Sequence, residues 1–460
     1  MTPQLAVTPQ LAVTPQLALR ARTPGSIGTR VDELGGRPVV IVESDTTVKR
    51  GALLPSDGAS MAAAARTARE ARVPLVMLLA SSGADVGEGI AALAGWGAAA
   101  REVVACSGIV PVLAVAMGPA VSGPALLLGL ADQIVMTDDA YAFLSGPAMV
   151  REFTGVPIST TALGGPGAHA RSSGLASLLV PDRDAAVEAI VDLLAFLPAH
   201  CDELPPRWPT ADPADRPTPE AGELLPTTAT GSYDVRDVIA SIVDDGEALE
   251  LRGAWAPNLV TALACIDGRP IGVVANQPQA LAGTLDIPAS QKGARFVAFC
   301  DSFNLPLVTL IDTSGFYPGK DLEWRGMIRH GAQMAFAYAR ATVPRVAVVM
   351  RKSYGGAYIV MDSKHTGNDL MLAWPTAEIA VMGARQASAV LHRNETPERQ
   401  LELERDYDER LLNPYVAAER GSIDAIIEPA ETRRELSAAL SVLESKREHI
   451  VGRRHDNSPL

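Results

Sequence analysis

The chain has 460 residues, 47% of them hydrophobic, which is enough to build more than one substantial core. Lys and Arg number 40 against 53 Asp and Glu, a net charge of −13 with the basic residues spread out, and this argues against a nucleic-acid partner. Gly, Pro or a charge interrupts every apolar run of membrane-spanning length, so no membrane segment is expected.

The N-terminus is repetitive. Thr2-Pro-Gln-Leu-Ala-Val7 recurs as Thr8-Pro-Gln-Leu-Ala-Val13 and Thr14-Pro-Gln-Leu-Ala-Leu19. A proline every sixth residue blocks a continuous helix. A signal peptide would need a basic start and an unbroken apolar core, and neither is present. Residues 1–27 are expected to form a low-complexity tail. From 28 to 198, short β-branched runs alternate with Ala-rich stretches such as Gly58 to Glu70, the α/β pattern of buried strands. Residues 199–232 are rich in Pro and acids and read as an extended linker. A second α/β stretch fills 233–460, with helical segments over Gly326 to Arg340 and Thr396 to Asn413. Cys106, Cys201, Cys265 and Cys300 are too far apart for a zinc ribbon and read as reduced thiols of a cytoplasmic protein.

The two halves repeat each other. Gly36-Arg-Pro-Val-Val-Ile-Val-Glu43 returns 232 residues on as Gly268-Arg-Pro-Ile-Gly-Val-Val-Ala275. Val73-Pro-Leu-Val-Met-Leu-Leu-Ala-Ser-Ser-Gly83 returns at the same spacing as Leu305-Pro-Leu-Val-Thr-Leu-Ile-Asp-Thr-Ser-Gly315. Val110-Pro-Val-Leu-Ala-Val-Ala-Met117 returns 233 residues on as Val343-Pro-Arg-Val-Ala-Val-Val-Met350. Three segments in one order at near-constant spacing identify an internal duplication.

The last of these strands runs into Arg351-Lys-Ser-Tyr-Gly-Gly-Ala-Tyr-Ile-Val-Met361. Gly355 and Gly356 let a backbone approach a ligand closely. A helix starting there would leave its first N–H groups free for an oxyanion. A bare Gly-Gly is more often only a turn, but the duplication supplies a second copy, Val121-Ser-Gly-Pro124. Gly123 aligns with Gly356 and Pro124 with Ala357. No Ser/His/Asp set, phosphate loop with its lysine, or metal-spaced cluster is found, and Ser122 reads as a turn serine.

Gly355-Gly-Ala-Tyr358, Ser363-Lys-His365, Ala373-Trp-Pro-Thr-Ala-Glu378 and Asn413-Pro-Tyr-Val-Ala-Ala-Glu-Arg-Gly421 resemble the carboxyltransferase (β) subunit of biotin-dependent acyl-CoA carboxylases, of the acetyl-/propionyl-CoA carboxylase type. Lys292-Gly-Ala-Arg-Phe296 and Gly315-Phe-Tyr-Pro-Gly319 add to the likeness, which thins but keeps its order across the first half. It implies two tandem crotonase-like (ClpP/crotonase) domains and transfer of carboxylate from carboxybiotin to acetyl-CoA or propionyl-CoA. Charge would develop on the biotin ureido oxygen and on the acyl thioester oxygen, so both need oriented N–H donors. By resemblance Gly356 and Ala357 hold the biotin carbonyl, with Gly355, Tyr358 and Ile359 lining the site, and Ile359 helps select acyl length. The first half would hold the acyl-CoA through Gly83 and Gly123, with Ser82, Ala84 and Ser122 beside the substrate. No Met-Lys-Met-like biotin acceptor and no ATP-grasp signature is found, so a separate biotinylated α subunit is implied, as is a homo-hexamer.

The first half departs from the family. Ser81-Ser-Gly-Ala-Asp85 stands where the family reads Ser-Gly-Gly-Ala-Arg, and an aspartate near a CoA phosphate would repel it. Pro124 has no N–H to give. Two other readings follow: a biotin-independent crotonase-type decarboxylase or hydrolase, and a non-catalytic protomer of a mixed carboxylase complex.

Overall fold

The computed structural model describes residues 17–18, 25–228, 231–446, 448 and 457–459. Most of the repetitive tail lies outside them, but Leu17–Ala18 forms a short strand, β1, antiparallel to β2 (Ile27–Leu34). The chain divides into two compact units, Met1–Pro206 and Arg207–Leu460.

Each unit is built on one mixed sheet. The first continues through β3 (Arg37–Ser44), β4 (Leu75–Ser81), β5 (Val112–Val121), β6 (Gln133–Thr137), β7 (Tyr141–Phe143) and β8 (Leu178–Val180), in the order β1-β2-β3-β4-β5-β6-β8. β7 pairs with the far end of β5. The second sheet contains β9 (Ala248–Glu250), β10 (Leu259–Ile266), β11 (Arg269–Asn276), β12 (Leu307–Thr313), β13 (Arg345–Tyr354), β14 (Leu370–Ala373), β15 (Glu378–Ala380) and β16 (Ala425–Ile426). Its order is β9-β10-β11-β12-β13-β14-β16, with β15 on the far end of β13. In both sheets three neighbouring strands, each antiparallel to the next, β1-β2-β3 and β9-β10-β11, lead into a parallel run. All seven residues of β4 and all seven of β12 are buried, as expected for parallel strands covered on both faces.

The duplication extends to strand register. Val40 pairs with Leu75 and Leu75 with Val112; Gly272 pairs with Leu307 and Leu307 with Arg345. The register slips at the same place in both units, between Leu79 and Ser81 and between Ile311 and Thr313. Each slip falls where the strand leaves the sheet for its candidate functional loop. In the first unit, helices α1 (Pro55–Ala71) and α2 (Ile90–Cys106) cover one face. They meet so closely at Gly58 that a Cβ there would lie 2.2 Å from the Gly95 carbonyl.

The Pro-rich segment is not a free linker. Up to Pro206 it belongs to the first unit, where the Cys201 N–H donates to the Ile109 carbonyl (2.9 Å). Beyond it the chain docks on the second unit. The Trp208 N–H donates to the Gly268 carbonyl (2.7 Å), the Thr218 N–H to the Ala430 carbonyl (2.9 Å), and Ala221 enters the core. Prolines lack an N–H but keep their carbonyls, and the fully buried Arg433 uses that of Pro213. Its guanidinium donates to the carbonyls of Asp212 (3.2 Å), Pro213 (2.9 Å) and Ile242 (2.8 Å) and to the Asp244 carboxylate (2.6 Å). Among the described residues no helix is long and apolar enough to cross a membrane. All four cysteines are free thiols.

Candidate functional site

In the second unit β13 carries the chain into Gly355 at φ +60°, a left-handed turn that suits glycine. A Cβ there would meet the Val381 carbonyl at 3.0 Å. The helix Gly355–Val360 starts at once. Its N–H groups at Gly356 and Ala357 have no acceptor among the described residues. Gly356 is exposed, Ala357 is buried and Ile359 is 39% exposed. The Tyr358 hydroxyl reaches the Ser422 carbonyl only at 3.5 Å. The expected residues Gly355 to Ile359 therefore form one turn with two free donors, an open glycine and an apolar side chain beside it. The Phe316 ring would lie 3.4 Å from a Cβ on Gly356, ordinary contact distance.

Buried charges hold this turn from below. Asp312, at the end of β12, accepts from Arg351 Nε (3.0 Å), the Tyr233 hydroxyl (3.0 Å) and the Lys352 N–H (3.2 Å). Burial pushes the Asp312 carboxyl up, while the Arg351 guanidinium pulls it down. At the other end of the helix Arg345 pairs with Asp362 (2.8 Å), which also accepts from Asn368 (2.8 Å). A charge inside a buried strand needs a partner. Arg345 and Arg351 border the apolar run of β13 and so signalled these networks, which motif reading passed over. The first unit has no counterpart, because Asp312 aligns with Ala80 and Arg351 with Gly118.

The first unit repeats the turn with other residues. Ser122 occupies the Gly355 position at φ +60°, ψ −116°, an unfavourable conformation for a residue with a Cβ. Its N–H donates to the Phe143 carbonyl (2.9 Å). Its hydroxyl has no hydrogen-bond partner among the described residues. Helix α3 (Gly123–Gly129) follows. Gly123 keeps a free N–H, and Pro124 supplies none at the next position.

The second donor expected in this unit, Gly83, is already engaged. Its N–H turns back to the Ser81 hydroxyl (3.3 Å). The free N–H of the segment belongs to Ala84, which forms a parallel bridge with Leu53 while Ser82 stays exposed. The second unit matches this detail. The Gly315 N–H faces the Thr313 hydroxyl (3.4 Å), and Leu285 bridges Phe316. Gly83 and Gly123 sit on adjoining segments, since a Cβ on Gly83 would lie 3.4 Å from the Val121 carbonyl. The first unit thus retains two donors, at Ala84 and Gly123. Asp85 does not stand as a bare anion: Lys49 pairs with it and it accepts the Gly87 N–H (2.8 Å).

Comparison with known proteins gives one consistent result. Residues 16–458 match the family described as carboxyl transferase domain. The propionyl-CoA carboxylase beta chain of Saccharopolyspora erythraea is 41% identical over 92% of this chain and 81% of its own. The methylmalonyl-CoA carboxyltransferase 12S subunit of Propionibacterium freudenreichii subsp. shermanii is 42% identical over 92% of this chain and 82% of its own. The crystal structure of transcarboxylase 12S, described as a hexamer with methylmalonyl-coenzyme A and methylmalonic acid bound, superposes with a TM-score of 0.93 at 41% identity, covering 95% of this chain and 85% of that one.

Proposed function

The chain belongs to the carboxyl transferase domain family, and from that premise we propose that it moves a carboxyl group from carboxybiotin, carried by a separate biotinylated α subunit, to a short-chain acyl-CoA. Acetyl-CoA would give malonyl-CoA and propionyl-CoA would give methylmalonyl-CoA. The fold is a tandem pair of crotonase-like domains. The observation that carries the reading is the turn built twice, each copy ending a strand and presenting a glycine N–H with no acceptor, Gly123 in the first unit and Gly356 in the second.

The second unit's turn fits a neutral cyclic urea. Gly356 leaves the backbone open, Phe316 and Ile359 are apolar, and the two free N–H groups suit a ureido oxygen. Carboxybiotin, when bound, supplies an activated carboxyl group and an oxygen that gains charge as that group departs. Gly356 and Ala357 then act as donors fixed before reaction, which lowers the cost of that charge. In the first unit, Ala84 and Gly123 would do the same for the thioester oxygen of the acyl-CoA. The match runs through both halves, so the Ser82 to Asp85 segment that prompted a biotin-independent reading lies inside a carboxyltransferase framework. Four free thiols accord with a cytoplasmic setting.

The test mixes the purified chain with a biotinylated α subunit, ATP, bicarbonate and acetyl-, propionyl- or butyryl-CoA. Carboxylated product in at least one mixture is expected, and none in any mixture would refute the assignment. Within that panel Ile359→Asp should change the ratio of kcat/KM between propionyl- and acetyl-CoA by about tenfold, because a charged wall alters how the acyl chain is received. An unchanged ratio would reduce Ile359 to packing. Pro124→Ala should raise turnover by up to about tenfold if a third donor is useful, a cautious fraction of what one such donor contributes elsewhere. No gain would mean that Ala84 and Gly123 suffice.

A homo-hexamer is the expected assembly. Sedimentation should give six times the 48.3 kDa chain mass, and a monomer at micromolar concentration would contradict it. A closed ring satisfies repeated contacts without open ends.

A further inference from the structure

The duplication offers a controlled comparison at one more loop. In the second unit Leu281, Ala282 and Gly283 run at φ 49°, 52° and 69°; in the first, Lys49, Arg50 and Gly51 run at 48°, 57° and 72°. Both glycines close on backbone: a Cβ on Gly51 would lie 2.2 Å from the Ala80 carbonyl, and one on Gly283 2.4 Å from the Asp312 carbonyl. Two successive non-glycine residues in the left-handed region are costly, and both units retain them. The scaffold is the same but the chemistry is not. One copy presents Leu and Ala, the other Lys and Arg.

The two cations have different tasks. Lys49 is paired with Asp85, and the pairing raises the lysine and lowers the aspartate, each through its hydrogen bond to the other. Arg50 is exposed, and its guanidinium has no ion pair or hydrogen bond among the described residues. Its carbonyl accepts the Ser82 N–H (3.3 Å). The loop is therefore tied directly to the segment that holds the free Ala84 N–H.

We infer that Arg50 binds the phosphates of the CoA moiety on the first unit, with Lys49 cancelling the charge of Asp85 so that it does not oppose them. The inference rests on the proposed function, which assigns the acyl-CoA to this unit. CoA carries a pyrophosphate and a 3′-phosphate, and a guanidinium fork suits phosphate oxygens. The matching loop of the second unit, Leu281-Ala282-Gly283, offers no cation, in keeping with a ligand there that carries no phosphate.

The test is equilibrium binding of CoA and of pantetheine, which lacks the phosphates, to the full chain by calorimetry. Arg50→Gly removes the cation and suits φ +57°, so the loop relaxes rather than breaks. Wild-type protein should prefer CoA by about tenfold, and the preference should fall with salt. Arg50→Gly should weaken CoA by about tenfold and leave pantetheine unchanged, and Arg50→Lys should recover most of the loss. Equal weakening of both ligands, no weakening of either, or a wild type indifferent to the phosphates would overturn the inference. Carboxylation on the same samples keeps the two readings apart. A wild type that binds CoA through Arg50 yet carboxylates nothing defeats the proposed function alone. One that carboxylates while Arg50→Gly binds CoA normally defeats Arg50 alone.

Discussion

Replacing Gly356 by proline is expected to lower carboxyl transfer by about 10²- to 10³-fold, the usual cost of losing one preorganised donor. The fold should survive. The Gly356 N–H has no acceptor to lose, the residue is exposed, and proline is tolerated in the first turn of a helix. Gly355, at φ +60°, already lies outside the helical region that proline forbids to the residue before it. Gly356→Ala is the control. It keeps the N–H and adds a Cβ at ordinary contact with Phe316, so it reports closeness alone and should cost less. Steady-state rates beside thermal unfolding separate the two effects. Ordinary transfer by a folded proline variant would remove the donor role.

Arg433→Met should destabilise the second unit by about 3–5 kcal/mol, the range for breaking a buried ionic pair from one side. The side chain is fully buried and joins three carbonyls and Asp244. Methionine fills similar space but leaves those acceptors without their donor. Asp244 keeps the N–H groups of Asp267 (2.9 Å) and Gly268 (2.7 Å), which moderates the loss without replacing the positive charge. Urea unfolding measures the cost. Proteolysis should also begin within 207–228, because Arg433 holds Asp212 and Pro213 against the unit. A loss below about 1 kcal/mol, with that segment still protected, would mean that the docking depends on other contacts.

The sequence made the architecture legible because strand repeats carry register with them. Segments spaced at 232 and 233 residues became paired strands with the same slips and the same turns. Gly355 and Gly356 were legible for a similar reason, since the φ of Gly355 and the openness of Gly356 both restrict residue choice. Other features depended on groups far apart in the chain. Asp85 looked like a misplaced anion because its partner, Lys49, lies 36 residues earlier. The Pro-rich segment looked free because composition does not reveal that a distant arginine takes its carbonyls. The free N–H in the first unit lies at Ala84 rather than Gly83 because backbone direction within a tight turn decides which N–H faces outward. The Asp312 network forms only when strands bring together residues tens of positions apart, and the Asp362 pair joins residues 17 positions apart across a strand and a helix.

Transfer of a carboxyl group between biotin and an acyl-CoA can be followed in the reverse half-reaction, without a partner subunit. The measurement follows loss of methylmalonyl-CoA and of malonyl-CoA in the presence and absence of free biotin. Consumption of at least one thioester that requires biotin, and that Gly356→Pro slows by about 10²- to 10³-fold, is the expected result. Consumption that proceeds equally without biotin, or no consumption of either by the folded chain, would contradict it.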